Sequence, residues 1–307
     1  MPSELVQGAM QGVFPILVTP FDEMGRIDEE SLRRLIDFNI NAGVHGLGVA
    51  LGSEIFKLSE SERDLVTRIV VDQVRQRVPV VINTGAPGTD LAVFYSQRAE
   101  ELGADALMII PPSFMPAGPT EVLEYYRTIS DAVNIPIFLQ DVPSAPISAS
   151  LARQIAERCE HVRYIKVETL PVSSKVAEMV AVAGDQLTVF GGAGGSYFIE
   201  ELRRGSMGTM PFCSQPEAFV QVWNLVRSGD EGTAIARTVF DQVIAPINRI
   251  ANQGAGIFYH IHKELLRQRG VIATAKVRSP APLVDPMTQQ ELQQLITELY
   301  EIVNIEA

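Results

Sequence analysis

An eight-fold parallel α/β barrel is the fold class this sequence predicts. Three observations carry it: eight short apolar runs, eight helical periodicities between them, and a span of about 215 residues that holds both. The runs are Val13–Val18, Gly46–Leu51, Val78–Asn83, Ala106–Ile110, Ile135–Leu139, Val162–Val167, Leu187–Phe190 and Met207–Pro211. Each is rich in branched or aromatic residues and stops near Gly, Pro, Ser or Thr, as strands buried on both faces of a parallel sheet do. Helical spacing fills 28–42, 59–76, 88–102, 119–132, 148–159, 172–183, 194–204 and 215–228. Ser59 with Glu62 forms a capping box, and Asp28, Thr120 and Ser148 are candidate N-caps. A doubly wound sheet has the same periodicity and differs only in strand order, which periodicity does not show.

Strand-like runs end with the eighth. Helical patterns follow at 230–251, 255–268 and 288–303, and the proline-rich stretch Lys276–Pro286 reads as an extended connection. The division is therefore a barrel domain over 1–228 and a C-terminal helical extension over 229–307.

Composition excludes several classes. With 46% hydrophobic and 20% charged residues, the 307-residue chain is neither disordered nor a disulfide mini-scaffold. A net charge of −12 argues against nucleic acid and anionic lipid as partners, though not against a small anionic substrate. Cys159 and Cys213 are far apart and fit neither a metal nor a redox spacing, which suits a reducing cytoplasm. The opening twelve residues carry no signal-peptide pattern, and no apolar stretch is long enough to span a membrane.

In such barrels chemistry sits where strands end. The chain has only five lysines. Lys57, Lys175, Lys263 and Lys276 fall on helices or loops, where a solvated role is the default. Lys166 instead ends the sixth apolar run, at the barrel mouth. An amine buried there is costly to charge unless paired, and a neutral amine is what attack on a carbonyl requires. A lysine that snorkels or simply pairs with Glu168 fits the same pattern. Alternation places Glu168 on the side of Lys166, as a charge anchor or a general acid/base.

These residues belong to a wider pattern. The opening Gly12–Phe21, the Gly-Ser-Glu54 turn, Gln140-Asp-Val-Pro143 and Ile165-Lys-Val-Glu-Thr169 together resemble the dihydrodipicolinate synthase and N-acetylneuraminate lyase superfamily of class I aldolases, over nearly the whole chain. The resemblance implies a (β/α)₈ barrel with a C-terminal helical extension and a homotetramer. It also implies a Schiff base between Lys166 and the carbonyl of a 2-keto acid; no cofactor or metal is expected. Gln140 and Glu168 are the further catalytic candidates, and Gly52, Ser53, Thr169 and Gly192 the substrate contacts.

Departures narrow the reading. The family's Gly-Thr-Thr-Gly-Glu is here Ala50-Leu-Gly-Ser-Glu54. Its strand-five tyrosine is Gln140, a second tyrosine falls near Phe114, and an arginine for the aldehyde's carboxylate falls at Ala145. The pattern is closer to the 2-keto-3-deoxy sugar acid dehydratases, in particular the L-2-keto-3-deoxyarabonate dehydratase-like branch, although the Gly191–Gly195 loop departs from the acidic version of that branch. The implied activity is dehydration, or retro-aldol cleavage, of a 2-keto-3-deoxy sugar acid. Condensation of pyruvate with an aldehyde and a catalytically silent keto-acid binder are the alternatives.

Competing sites are weaker. His45, His161, His260 and His262 do not cluster as zinc ligands, and surface or capping roles are their default. Gly191–Gly195 could cradle phosphate or simply form a tight turn. Cys213 reads as a small core residue.

Overall fold

A computed structural model describes residues 10–115 and 117–305, so the opening segment, read above as lacking a leader, lies largely outside the described residues. Eight strands form one parallel sheet: β1 (Gly12–Val13), β2 (Leu47–Val49), β3 (Val80–Asn83), β4 (Ala106–Ile109), β5 (Ile137–Asp141), β6 (Val162–Val167), β7 (Thr188–Gly191) and β8 (Gly208–Thr209). Their spatial order, 1-8-7-6-5-4-3-2, is sequential. The first segment closes the sheet. Phe14 and Ile16 N–H groups donate to Thr209 and Pro211 on one side. Across the other, Val13 and Pro15 carbonyls accept from His45 and Gly48. A closed sequential barrel has no reversal of strand order, which removes the doubly wound alternative.

The barrel helices are α1 (Glu29–Asn41), α2 (Glu60–Val74), α3 (Thr89–Glu101), α4 (Pro119–Ser130), α5 (Ala149–Arg158), α6 (Val172–Ala183), α7 (Phe198–Leu202) and α8 (Pro216–Arg227). Asp28 and Ser148 accept first-turn amides, and Ser59 and Glu62 form the reciprocal box. Thr120 does not cap. Pro119, whose ring presets the helical φ, occupies the first turn and moves the cap to Gly118. The helix expected at 194–204 shortens to five residues because left-handed Gly194 and Gly195 force a turn first.

Two apolar layers result. One lies between sheet and helices. The other fills the barrel, where Phe138 and Tyr164 stack with centroids 4.3 Å apart and Phe190 packs edge-on to Phe138. Period two then fixes what lies above that inner layer: Gln140 follows Phe138, Lys166 follows Tyr164, and Gly192 follows Phe190.

Past α8 come α9 (Asp230–Val239), a π turn at Phe240–Ile244, α10 (Ala245–Ala251), α11 (Ile257–Gln268) and α12 (Pro286–Ile305). The stretch before α12 has no regular structure, as its prolines predict. Phe240 and Ile244 share a core with Phe198, Phe219 and Trp223, so the extension packs directly on barrel helices. No helix among the described residues is long and apolar enough to cross a membrane.

Candidate active site

The floor of the barrel mouth is a chain of hydrogen bonds across β3, β5 and β6. Asn83 Nδ2 donates to Gln140 Oε1 at 3.0 Å, and Gln140 Nε2 donates to Glu168 Oε2 at 3.0 Å. A carboxylate only accepts, so Glu168 fixes the amide orientation of Gln140, and that in turn presents the Gln140 oxygen to Asn83. The other oxygen, Glu168 Oε1, lies 3.0 Å from Lys166 Nζ and accepts the Ala193 N–H at 3.3 Å. Lys166, Gln140 and Glu168 are thus brought together, with Lys166 and Gln140 in register on adjacent strands. All three face a cavity of about 690 Å³.

Gly192 makes this packing possible. A Cβ there would lie 2.3 Å from Glu168 Cγ and 2.9 Å from Lys166 Cε. Gly52 lines the same cavity, and its missing side chain admits the Phe212 ring, to which a Cβ would approach within 2.9 Å. The glycine-rich turn therefore serves close approach. Its Gly195 N–H is already bonded to Gly192 O.

Two expected substrate contacts are committed within the protein. Ser53 is buried. Its hydroxyl donates to Leu17 O and accepts from Ala50 N–H, and its own N–H goes to Ala50 O. Ser53 is not among the residues that line the cavity. Thr169 turns to Asp141, giving it both N–H and hydroxyl at 3.2 and 2.9 Å. Lys175 Nζ meets the same carboxylate at 2.6 Å, and Ile147 N–H at 2.8 Å, so Asp141 ties the loops after β5 and β6 together.

The solvated default for the remaining lysines fails for three of four. Besides Lys175, both Lys57 and Lys263 converge on Glu54, at 2.9 Å from Oε2 and 2.5 Å from Oε1. Lys263 and Glu54 are fully buried, and desolvation pulls the Lys263 amine down to about 8. Lys276 alone is exposed, donating to Glu23 O. The surface default also fails for His262. Burial pushes it down to about 3, its Nδ1 lies 2.8 Å from Ser214 Oγ, and its ring stacks on Phe212. Among the described residues, no group of three or more His, Cys, Asp or Glu side chains is placed to hold a metal. Cys213 is a buried core residue whose thiol desolvation pushes up to about 12.

Residues that local pattern did not single out complete the site. Phe258, Tyr259, Pro280 and Pro282 of the extension form its outer wall with Phe212 from the end of β8. Glu201 of α7 lies behind Gly191, where a Cβ would strike its carboxyl, and neither of its oxygens has a hydrogen-bond partner among the described residues. Desolvation first, then the charges of Glu200 and Glu168, raise it to about 8.

Comparison with known proteins places the chain in a family. A model of the dihydrodipicolinate synthetase family matches residues 9–299. An L-2-keto-3-deoxyarabonate dehydratase of Azospirillum brasilense is 33% identical over 304 residues, 95% of this chain and 96% of that protein. A 4-hydroxy-tetrahydrodipicolinate synthase of Psychrobacter arcticus is 30% identical over 267 residues, 85% of this chain and 82% of that one. The crystal structure of a dihydrodipicolinate synthase from Rhodopseudomonas palustris superposes with a TM-score of 0.86 at 26% identity, covering 94% of this chain and 97% of that chain.

Proposed function

The chain belongs to the dihydrodipicolinate synthetase family, and from that premise we propose that it dehydrates a 4-hydroxy-2-keto acid through an imine on Lys166. It is a lyase of the class I aldolase type; the reaction and the residues are the proposal. The observation that carries it is Lys166 at the end of β6, against Glu168 and open to the cavity.

Each step has a group in place. The Lys166 amine adds to the C2 carbonyl, and water leaves as the imine forms. The protonated imine draws electrons from the C3–H bond, and Glu168 takes that proton. The C4–O bond then breaks as the C3 electrons form the C3–C4 double bond. The same carboxyl, now holding a proton, returns it to the departing hydroxyl, which leaves as water. Hydrolysis of the imine restores the amine. Gln140 holds Glu168 from the far side so that its other oxygen faces the amine. Cleavage of C3–C4 uses the same imine. The missing strand-five tyrosine favours dehydration because one carboxyl serves both proton transfers. The sugar-acid dehydratase from Azospirillum supports the same choice.

Exchange of the methyl protons of pyruvate with D₂O, followed by NMR, tests the base. Wild-type protein is expected to exchange them, and Glu168→Gln to form the imine without exchange. Full exchange by Glu168→Gln would remove Glu168 from the role.

The family resemblance also carries a homotetramer. Support comes from Phe114 and Met115 after β4, which stand 83% and 73% exposed as apolar surface. Sedimentation velocity measures it, and a monomer at micromolar concentration would rule it out.

A further inference from the structure

The cavity changes character along its depth. At the bottom are Lys166, Glu168 and Gln140, bonded among themselves. Outward from them the wall is aromatic. The Phe212 and Phe258 rings lie 5.0 Å apart at 33°, and Tyr259 follows 4.1 Å from Phe258. Phe56 extends that surface, and Ile16 and Met210 add apolar side chains at the floor, from the barrel-interior cluster. The polar side chains on this wall already have protein partners, leaving Lys57 one spare donor and Tyr259 an acceptor. Tyr259 donates its hydroxyl to Leu51 O at 2.7 Å. Lys57 Nζ is held by Glu54 and by Arg278 O at 2.9 and 2.6 Å. Ser144 and Asn252 remain, both exposed at the rim, and Asn252 Nδ2 already donates to Ser196 Oγ at 3.2 Å. Among the described lining residues there is no arginine to meet a second carboxylate.

A chain of hydroxyls drawn against the Phe212, Phe258 and Tyr259 rings would lose more water contacts than the few polar groups there replace. A flat or branched apolar group would bury its surface and, if aromatic, pack offset or edge-on against Phe212 and Phe258. The volume, about 690 Å³, is ample for an aryl keto acid. We propose that the keto acid taken here carries an aryl or branched alkyl group on C4 in place of a polyhydroxylated chain. This rests on the reading of Lys166 as the imine-forming amine.

The test compares kcat/KM for 4-hydroxy-2-oxo-4-phenylbutanoate and for a 2-keto-3-deoxypentonate on one preparation. Loss of the C3 proton and the C4 hydroxyl as water converts the first to its conjugated 2-oxo-3-butenoate, which absorbance follows. Pyruvate and benzaldehyde would mark the cleavage route. The proposal expects a preference of about tenfold or more for the phenyl compound. It also expects Phe258→Ser to narrow that ratio, through a raised KM for the phenyl compound. Borohydride reduction with pyruvate on the same preparation separates the two readings. A Lys166 adduct together with a preference for the pentonate would overturn the apolar substrate and leave the lyase standing. No adduct would overturn both.

Discussion

Lys166 and Lys263 are both buried lysines facing a glutamate, yet their surroundings set them apart. Lys263 is sealed. Its amine meets Glu54, Lys276 O at 2.8 Å and the face of Phe21, with the ring centroid at 4.4 Å. Glu54 is saturated in turn, because Lys57 and the Arg278 N–H take its second oxygen. Lys166 has Glu168 as its one ionic partner among the described residues, and Glu168 keeps 17% of its side chain exposed to the cavity. One pair is enclosed by protein partners on both sides, and it fastens the extension to the turn after β2. The other leaves an amine with free valence toward an open space. For a buried lysine, the number of remaining partners separates structural from reactive use.

Substitutions at the two lysines should split activity from stability. Lys166→Met is expected to lower turnover by about 10⁴-fold or more, since the covalent route is lost. Its denaturant midpoint should stay near that of the wild type. A variant with much residual turnover would place the nucleophile elsewhere. Lys263→Met should do the reverse. It strands Glu54 with part of its charge uncompensated, a loss of roughly 3 kcal/mol or somewhat more in denaturant unfolding. The folded fraction should still form the Lys166 imine. A neutral result would mean that Lys57 and Arg278 suffice for Glu54.

Smaller changes sharpen the contrast. Gly192→Ala places a methyl group 2.3 Å from Glu168 Cγ and must displace the carboxyl from Lys166. A shift of that size near reacting atoms costs about 10²-fold in kcat, with little change in thermal stability. Unchanged kcat would show that Glu168 can move without consequence. Glu201→Gln reports on the lone buried carboxyl behind β7. Its pKa is raised from 4.5 to about 8, so between those values the folded chain keeps a proton that the unfolded chain has lost. The stability this group supplies is complete below about 4.5 and declines as pH rises to about 8, by at most roughly 1.4 kcal/mol per pH unit. The amide variant should flatten that decline in urea unfolding measured across the window. An unaltered slope would mean that Glu201 has a polar partner.

The barrel was legible because continuous apolar runs and helical spacing recur with the right lengths, and nothing local competes with them. Lys166, Glu168 and Gln140 were legible for a related reason: strand ends fix both height and side. Three other lysines were misplaced because a helix or loop assignment says nothing of tertiary distance. A signal for Lys263 existed, since Tyr259 and Leu266, four and three residues away, put its charge on the apolar face of α11. Ser53 and Thr169 were assigned by analogy to the family, and only coordinates show their hydroxyls turned to Leu17 O and Asp141. The aromatic wall comes largely from residues beyond 250, which no local pattern connects to the mouth of β6.

The most direct test of the contrast between the two lysines is borohydride trapping with pyruvate, mapped by peptide mass spectrometry. The account predicts a reduced adduct on Lys166 and none on Lys263, although both amines are buried beside carboxylates. An adduct on Lys263, or none on Lys166 in folded protein, would contradict it.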